Sequence, residues 1–287
     1  MRREKKKAYP YKAFGTFKGN KEISEDINKM DLLDLMIDFH KDALRQGPGS
    51  DQETKRALMF IDNLSDNSKI IDIGCGTGAQ TMTLAENTSG KIVAIDMLPV
   101  FLEKLNEKIL DKKLENRVTT ECRSMLELPY PDNAFDLIWA EGSIYNIGFI
   151  KGLQDWKRIL KAGGYIAVSE ISWLTDTRPQ EVEKYWTQNY AEIDTISNKI
   201  AVIEANGYTP VAHFVLPESC WIENYYQPIL DRSEDFLKKY DYAEDLKQFI
   251  EAGRIEADIY KRFKEYYSYV FYIAKKKYDH NITILVE

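Results

Sequence analysis

The sequence predicts an α/β fold, a doubly wound sheet of mainly parallel strands with helices on both faces. Three observations carry this. Ile70-Ile71-Asp72-Ile73 is a short β-branched run that leads into Gly74-Cys75-Gly76-Thr77-Gly78, and an apolar run closed by a turn reads as a strand buried on both sides. Lys91-Ile92-Val93-Ala94-Ile95-Asp96 is a second apolar run that ends in an acid, spaced about twenty residues beyond the glycines as in a βαβ unit. From Gly74 to Ile171 strand-like runs alternate with helical patterns, and such alternation implies a parallel sheet.

The elements follow in chain order. Residues 1–30 are expected to form a basic N-terminal tail, with Arg2, Arg3, Lys5, Lys6 and Lys7 ahead of Tyr9, Tyr11, Phe14 and Phe17. A solvated tail, or sequence upstream of a true start at Met30, is the plain reading; a flap over a ligand is the sharper one. Asp31 to Arg45 places Leu32, Leu35, Met36 and Phe39 at helical spacing, and Gln46-Gly47-Pro48-Gly49 is expected to stop that helix. Ser50 and Glu53 form a capping box for a helix through Leu64, with Leu58, Ile61 and Leu64 inward. Further helices are expected over Ala79–Glu86, Pro99–Leu114 and Phe149–Leu160, and strands over Val118–Cys122 and Phe135–Ala140. A fifth strand follows Gly163-Gly164. Pro179 opens a helical stretch that runs to Asn206, where Asn206-Gly207 supplies the stop. A sixth strand spans Thr209–Leu216. Residues 218–263 read as helical, with Trp221, Tyr225, Tyr226, Leu230, Phe236 and Tyr240 on one side, and a last strand spans Tyr267–Ala274.

Composition narrows the function. A hydrophobic content of 44% with 30% charged residues is that of a globular domain. No apolar run reaches membrane-spanning length. Cys75, Cys122 and Cys220 are too few and too scattered for a disulfide framework or a zinc site, so no metal is expected and a cytoplasmic location is. The net charge of −7 argues against a broad nucleic-acid surface.

The glycine turn is a nucleotide-binding corner, because glycines let a ligand approach the backbone and a helix N-terminus opens into the same crevice. Gly74-x-Gly76-x-x-Ala79 satisfies a loose dinucleotide fingerprint. Asp72, inside the strand end, and Gly78, one residue early for that fingerprint, point elsewhere. A carboxylate at Asp96 can accept hydrogen bonds from both ribose hydroxyls, which supports an adenosine ligand without choosing among its kinds.

Asp72-x-Gly74-x-Gly76-x-Gly78 resembles the first motif of the class I S-adenosylmethionine-dependent methyltransferases. Leu128-Pro129-Tyr130 through Phe135-Asp136 and Leu160-Lys161-Ala162-Gly163-Gly164 are similar to further family segments, the last with alanine for the usual proline. The resemblance covers roughly Ser50 to Trp173 and extends to the enzymes named for ubiquinone and menaquinone biosynthesis. It implies a seven-stranded Rossmann-like methyltransferase sheet whose last strand is antiparallel. The core would span residues 50–217, with a helical cap inserted at 218–263 and the returning strand in 264–287. Residues 31–49 would be a lid helix and loop.

The same resemblance assigns S-adenosyl-L-methionine as cofactor. Asp72 would face its ammonium, Gly74, Cys75, Gly76 and Gly78 its carboxylate, Asp96 its ribose and Met97 its adenine face. Ser124 and Met125 would touch the adenine, with Arg123 where relatives carry an acid. Glu141 and Gly142 close the cofactor side. Glu141 and Tyr145 are the candidate catalytic groups, with cofactor contact or capping an equal account of Glu141. Gln46, Tyr145 and Trp173 are expected to line the substrate pocket. Packing explains the aromatics Trp173, Trp186, Trp221, Tyr225 and Tyr226 as well as a cage for a cationic acceptor does. His40 is expected to be a partly exposed helix residue. The expected partner is a small-molecule methyl acceptor, with at most a second copy of the chain; nucleic acid and membrane are not expected. The resulting expectation is methyl transfer to an oxygen, nitrogen or carbon of a small molecule by in-line displacement. A nicotinamide-dependent dehydrogenase, which would lack an antiparallel strand, and a non-catalytic adenosyl-ligand-binding protein remain as alternatives.

Overall fold

The computed structural model describes residues 32–278; the basic tail expected over residues 1–30 lies outside them. Seven strands form one sheet. They are β1 (Lys69–Ile73), β2 (Lys91–Asp96), β3 (Val118–Cys122), β4 (Phe135–Glu141), β5 (Leu160–Trp173), β7 (Tyr208–Val215) and β8 (Tyr267–Lys276), in the order β3-β2-β1-β4-β5-β8-β7. A two-residue strand, β6 (Asp194–Thr195), pairs beside the end of β5. β1 runs parallel to β2 on one side and to β4 on the other. The chain order reverses there, so a crevice opens beyond the carboxyl ends of β1, β2 and β4. β8 lies antiparallel between β5 and β7, from Trp173↔Tyr267 to Tyr208↔Lys276. The antiparallel strand expected from the family resemblance is therefore present.

Strand alternation divides the core. Ile70 packs with Leu84, Leu102 and Leu105 on one face of the sheet, while Ile71 and Ile73 pack with Phe149, Leu153 and Trp156 on the other, as a period of two requires. All three isoleucines are fully buried, each contributing about 1.5–3 kcal/mol. The helices behind these faces are α3 (Ala79–Asn87), α4 (Pro99–Asp111), α5 (Phe149–Trp156) and α7 (Ile196–Ala205).

Several expected helices are shorter than their periodic patterns. α1 covers Leu32–His40 and stops before Arg45. The amide of Gln46 accounts for the early stop by donating to the carbonyls of His40 and Ala43, at 3.2 Å each. α2 covers Asp51–Leu58; Ser50 caps it by accepting from the Glu53 N–H at 3.1 Å, and Asn63, at φ 64°, turns the chain toward β1. Leu58, Ile61 and Leu64 still pack on the core, from half-buried positions. The helical stretch expected over 179–206 is broken into α6 (Gln180–Asn189) and α7, because Thr195 restarts the helix as its cap. His40 is buried rather than partly exposed, edge-on to Phe39 and Phe249.

Between β7 and β8 the chain forms α8 (Glu218–Trp221), α9 (Gln227–Lys239) and α10 (Glu244–Phe263). Ile222–Tyr226 is a π-helical turn joining α8 to α9. Pro228, which has no N–H to donate to the carbonyl of Asn224, gives that widening a cause. The turn swings Asn224 toward the loop before α2, where its amide donates to the Gly49 carbonyl at 2.8 Å.

Candidate active site

The glycine turn is built by backbone conformation. Gly74, Gly76 and Gly78 have φ of 77°, 55° and 84°, the left-handed region that only glycine enters without strain. The N–H groups of Gly74 and Cys75 both donate to the Ile95 carbonyl, at 2.9 and 3.0 Å, which ties the turn to β2. At the end of β2, Asp96 accepts from Gly76 N–H at 3.0 Å and from Leu98 N–H at 2.9 Å. Burial raises the Asp96 carboxyl, and those amides pull it back.

A cavity opens over this corner. Gly74, Cys75, Gly76, Asp96, Met97, Ser124, Met125, Glu141 and Gly142 line it, together with Gln46 and Tyr145. The donor set suits S-adenosylmethionine. One wall holds a carboxylate fit for a ribose diol, another the apolar Ile95, Met97, Phe101 and Met125, and the floor is the glycine turn.

Three expected residues are elsewhere. Asp72 does not line the cavity; it is fully buried, accepting from Thr81 Oγ1 at 2.6 Å and from Gln80 Nε2 at 3.4 Å. Burial pushes its carboxyl up to about 7, against the pull of Thr81. Gln80, not Asp72, faces the cavity. Gly78 is behind the turn, where an added Cβ would stand 2.2 Å from Leu105 Cδ1. Trp173 is buried at the end of β5 against Tyr267, with the Arg178 guanidinium 4.2 Å above its ring. β5 continues past the cavities, so Trp173, on the same face as the lining residue Ile171, lies roughly 7 Å farther along the strand.

Glu141 is held rather than poised. Its Oε2 accepts from Arg45 at 2.9 Å, and its Oε1 accepts from Thr54 Oγ1 at 2.6 Å and Trp139 Nε1 at 3.0 Å. Three donors occupy both oxygens of the carboxylate and fix its orientation. Arg45 and Thr54 carry no signal in the sequence because their partner is distant along the chain. Gln46 closes over the glycines: its Oε1 accepts from Thr77 N–H at 3.0 Å and would stand 2.3 Å from a Cβ on Gly76.

A second chamber adjoins the first and shares Gln46, Gly47, Pro48, Gly142 and Tyr145 with it. Its other walls include Tyr185, Trp186, Tyr190, Trp221, Tyr225 and Tyr269, with one carboxyl, Glu256. Trp186, Trp221 and Tyr225 thus reach a cavity, whereas Trp173 and Tyr226 do not line it. Burial pushes the Tyr145 hydroxyl above the ordinary tyrosine range, which makes it a hydrogen-bond donor and a poor base. Glu256 had a legible signal. It stands on the stripe Leu246, Phe249, Gly253, Glu256, Tyr260 and Phe263 that α10 buries, and an acid on an apolar stripe is anomalous. Glu170, at the fifth strand, is fully buried and paired with Lys199 at 3.0 Å, outside both chambers.

A doubly wound sheet with one antiparallel strand, and a glycine turn beside an acid-ended strand at its crevice, is a nucleotide-binding scaffold. Comparison with known proteins makes that specific. A methyltransferase-domain family matches residues 64–252, well over half of the chain. The ubiquinone/menaquinone biosynthesis C-methyltransferase UbiE of Geobacter sp. (strain M21) is 30% identical over 165 residues, covering 56% of this chain and 69% of that protein. Methyltransferase GfsG of Streptomyces halstedii is 29% identical over 150 residues, or 50% of this chain, a match that spans only about half (54%) of the relative. A S-adenosylhomocysteine complex of a methyltransferase from Geobacter sulfurreducens shares the fold at a TM-score of 0.74 and 16% identity, over 85% of this chain and 98% of that one. The chain belongs to the methyltransferase-domain family, within the class I S-adenosylmethionine-dependent methyltransferases. Among the described residues, no helix is long and apolar enough to cross a membrane.

Proposed function

We propose that this chain transfers a methyl group from S-adenosylmethionine to a small molecule held in the chamber beyond Tyr145. The observation that carries the reading is the junction of the two cavities. The corner over Gly74–Asp96 and the aromatic chamber meet at Gln46, Gly142 and Tyr145, where a donor methyl and an acceptor atom can be brought into line. Bound S-adenosylmethionine supplies an electrophilic methyl carbon on a sulfonium. The protein's own share is alignment and exclusion of water. Asp96 holds the ribose, Met97 and Met125 the adenine, and Gln80, backed by Asp72, stands at the amino-acid end. Gln46 and the clasp from Arg45 to Glu141 close the roof.

In this reading residues 50–217 are the cofactor-binding core, 31–49 a lid and 218–263 a cap that furnishes the acceptor chamber. Cys75, Cys122 and Cys220 are all free thiols, in keeping with a reducing cytoplasm. A dehydrogenase is disfavoured by antiparallel β8. Calorimetry with S-adenosylhomocysteine and with NADH tests the proposal. Binding of the first and not the second is expected; the reverse would overturn it.

A further inference from the structure

The acceptor chamber has a chemical bias that the methyl-transfer reading alone does not supply. Tyr185, Trp186, Tyr190, Trp221, Tyr225 and Tyr269 surround it, and among the described residues no lysine, arginine or histidine lines it. Glu256 is 8% exposed. Its Oε1 accepts from the Tyr226 hydroxyl at 3.0 Å, and no cation among the described residues pairs with it. A buried carboxylate without a cationic partner is expensive, and aromatic faces are themselves negative. An anionic acceptor would face the Glu256 carboxylate with no cation in the lining to offset it. A cation would meet both a counter-charge and ring faces.

We propose that the acceptor is a cationic amine, whose ammonium sits between these rings and the Glu256 carboxylate. This rests on the methyl-transfer reading and names its substrate class. An ammonium has no free lone pair, so its proton must leave first. Glu256 takes that proton as a carboxylic acid. The freed nitrogen pair then forms the N–CH3 bond as the C–S bond breaks, its electrons remaining on sulfur and the positive charge passing to the methylated nitrogen. Burial pushes the Glu256 carboxyl up to about 7, which brings it into the range where a proton can be accepted and released.

The test uses the full chain, loaded with S-adenosylhomocysteine, and tetramethylammonium as probe. This ion has no titratable proton, and Trp186 and Trp221 report its arrival by fluorescence. Saturable quenching is expected, with none from the uncharged isostere tert-butyl alcohol. Glu256→Gln should weaken the ion about tenfold or more, each tenfold being about 1.4 kcal/mol. Wild-type affinity should also fall as pH drops through about 7, while the variant stays flat. The other titratable groups facing Glu256 are Tyr145, Tyr185, Tyr225, Tyr226, Tyr267 and Tyr269, all kept protonated by burial. Absence of saturable binding, equal binding of the alcohol, or an undiminished variant would overturn the proposal. Failure to bind S-adenosylhomocysteine would instead sink the methyl-transfer reading, and the same ion titration on the unloaded protein would still decide whether the chamber takes a cation.

Discussion

Arg45 and Glu141 meet at 2.9 Å, joining the loop after α1 to the carboxyl end of β4, and both side chains are nearly buried. Both residues line the cavity over the glycine turn. Removing one partner strands a charge, and for a buried pair that costs about 3–5 kcal/mol. Thr54 and Trp139 continue to donate to Glu141, so the lower end applies. Arg45→Met should loosen S-adenosylhomocysteine binding by roughly tenfold or more and speed amide hydrogen exchange over residues 43–49, leaving β4 protected. Glu141→Gln should shift affinity in the same direction without moving the pH profile of turnover. A lost acidic limb in that profile would mark Glu141 as a base.

Asp96 both ties down the glycine turn and lines the cavity above it. Asp96→Ala removes the acceptor for Gly76 and Leu98 as well as for a ribose diol. Cofactor affinity should drop by about 1–3 kcal/mol. Asp96→Asn, which keeps one acceptor oxygen, should lose less. Calorimetry with S-adenosylhomocysteine reads both, and unchanged affinity would count against this corner as its site.

Gly78 is a packing requirement and does not line the cavity. With φ at 84° and Leu105 Cδ1 only 2.2 Å from where an alanine Cβ would lie, Gly78→Ala should destabilise by about 1–3 kcal/mol. Leu105→Val in the same chain should restore part of that loss in thermal unfolding. No recovery would place the cost in the backbone alone.

Glu256 should weaken the fold where it is ionised. Its carboxyl rises from 4.5 to about 7 on folding, so between those values the native state holds more protons than the unfolded chain and stability falls as pH rises. The loss is complete above about 7, on the order of 3 kcal/mol. Glu256→Gln should therefore raise the unfolding free energy at pH 8 and bring little gain near pH 4. Denaturant unfolding at the two values checks this. An equal effect at both would deny that the carboxyl is charged in the chamber.

His40 has the opposite sign. Burial drives its imidazole down to about 3 from 6.5, so below 6.5 the unfolded chain binds the extra proton and stability falls as pH falls. His40→Leu should flatten the acid limb of stability between about 6 and 3. An unaltered limb would assign acid sensitivity to other groups.

The strands and the glycine turn were legible in the sequence because both are local. A period of two, three glycines and an acid at each strand end need no distant partner, and β1, β2 and α3 follow from them within a residue or two. Helix ends were less legible. α1 stops where the Gln46 side chain takes the His40 carbonyl, a partner six residues on, and α2 ends at Leu58 although Ile61 and Leu64 continue its apolar pattern onto the core. At the site, Asp96, Met97, Ser124 and Met125 reach the cavity because they follow strands whose ends converge there. Asp72 sits one layer behind the cavity, with its partner Gln80 in front of it. Glu256 and the partners of Glu141 are products of tertiary structure, and only the acid on an apolar stripe announced one of them.

The helical segment that supplies Trp221, Tyr225 and Glu256 to the second chamber leaves the sheet at β7 and rejoins it at β8, its hydrogen-bonded neighbour, where Leu216 N–H still donates to the Tyr269 carbonyl at 2.9 Å. An excursion that departs and returns at adjoining rungs of one ladder can change in length or sequence without disturbing register. Natural selection, or an engineer, can thus exchange what is recognised while the apparatus that presents the reactive carbon is inherited intact.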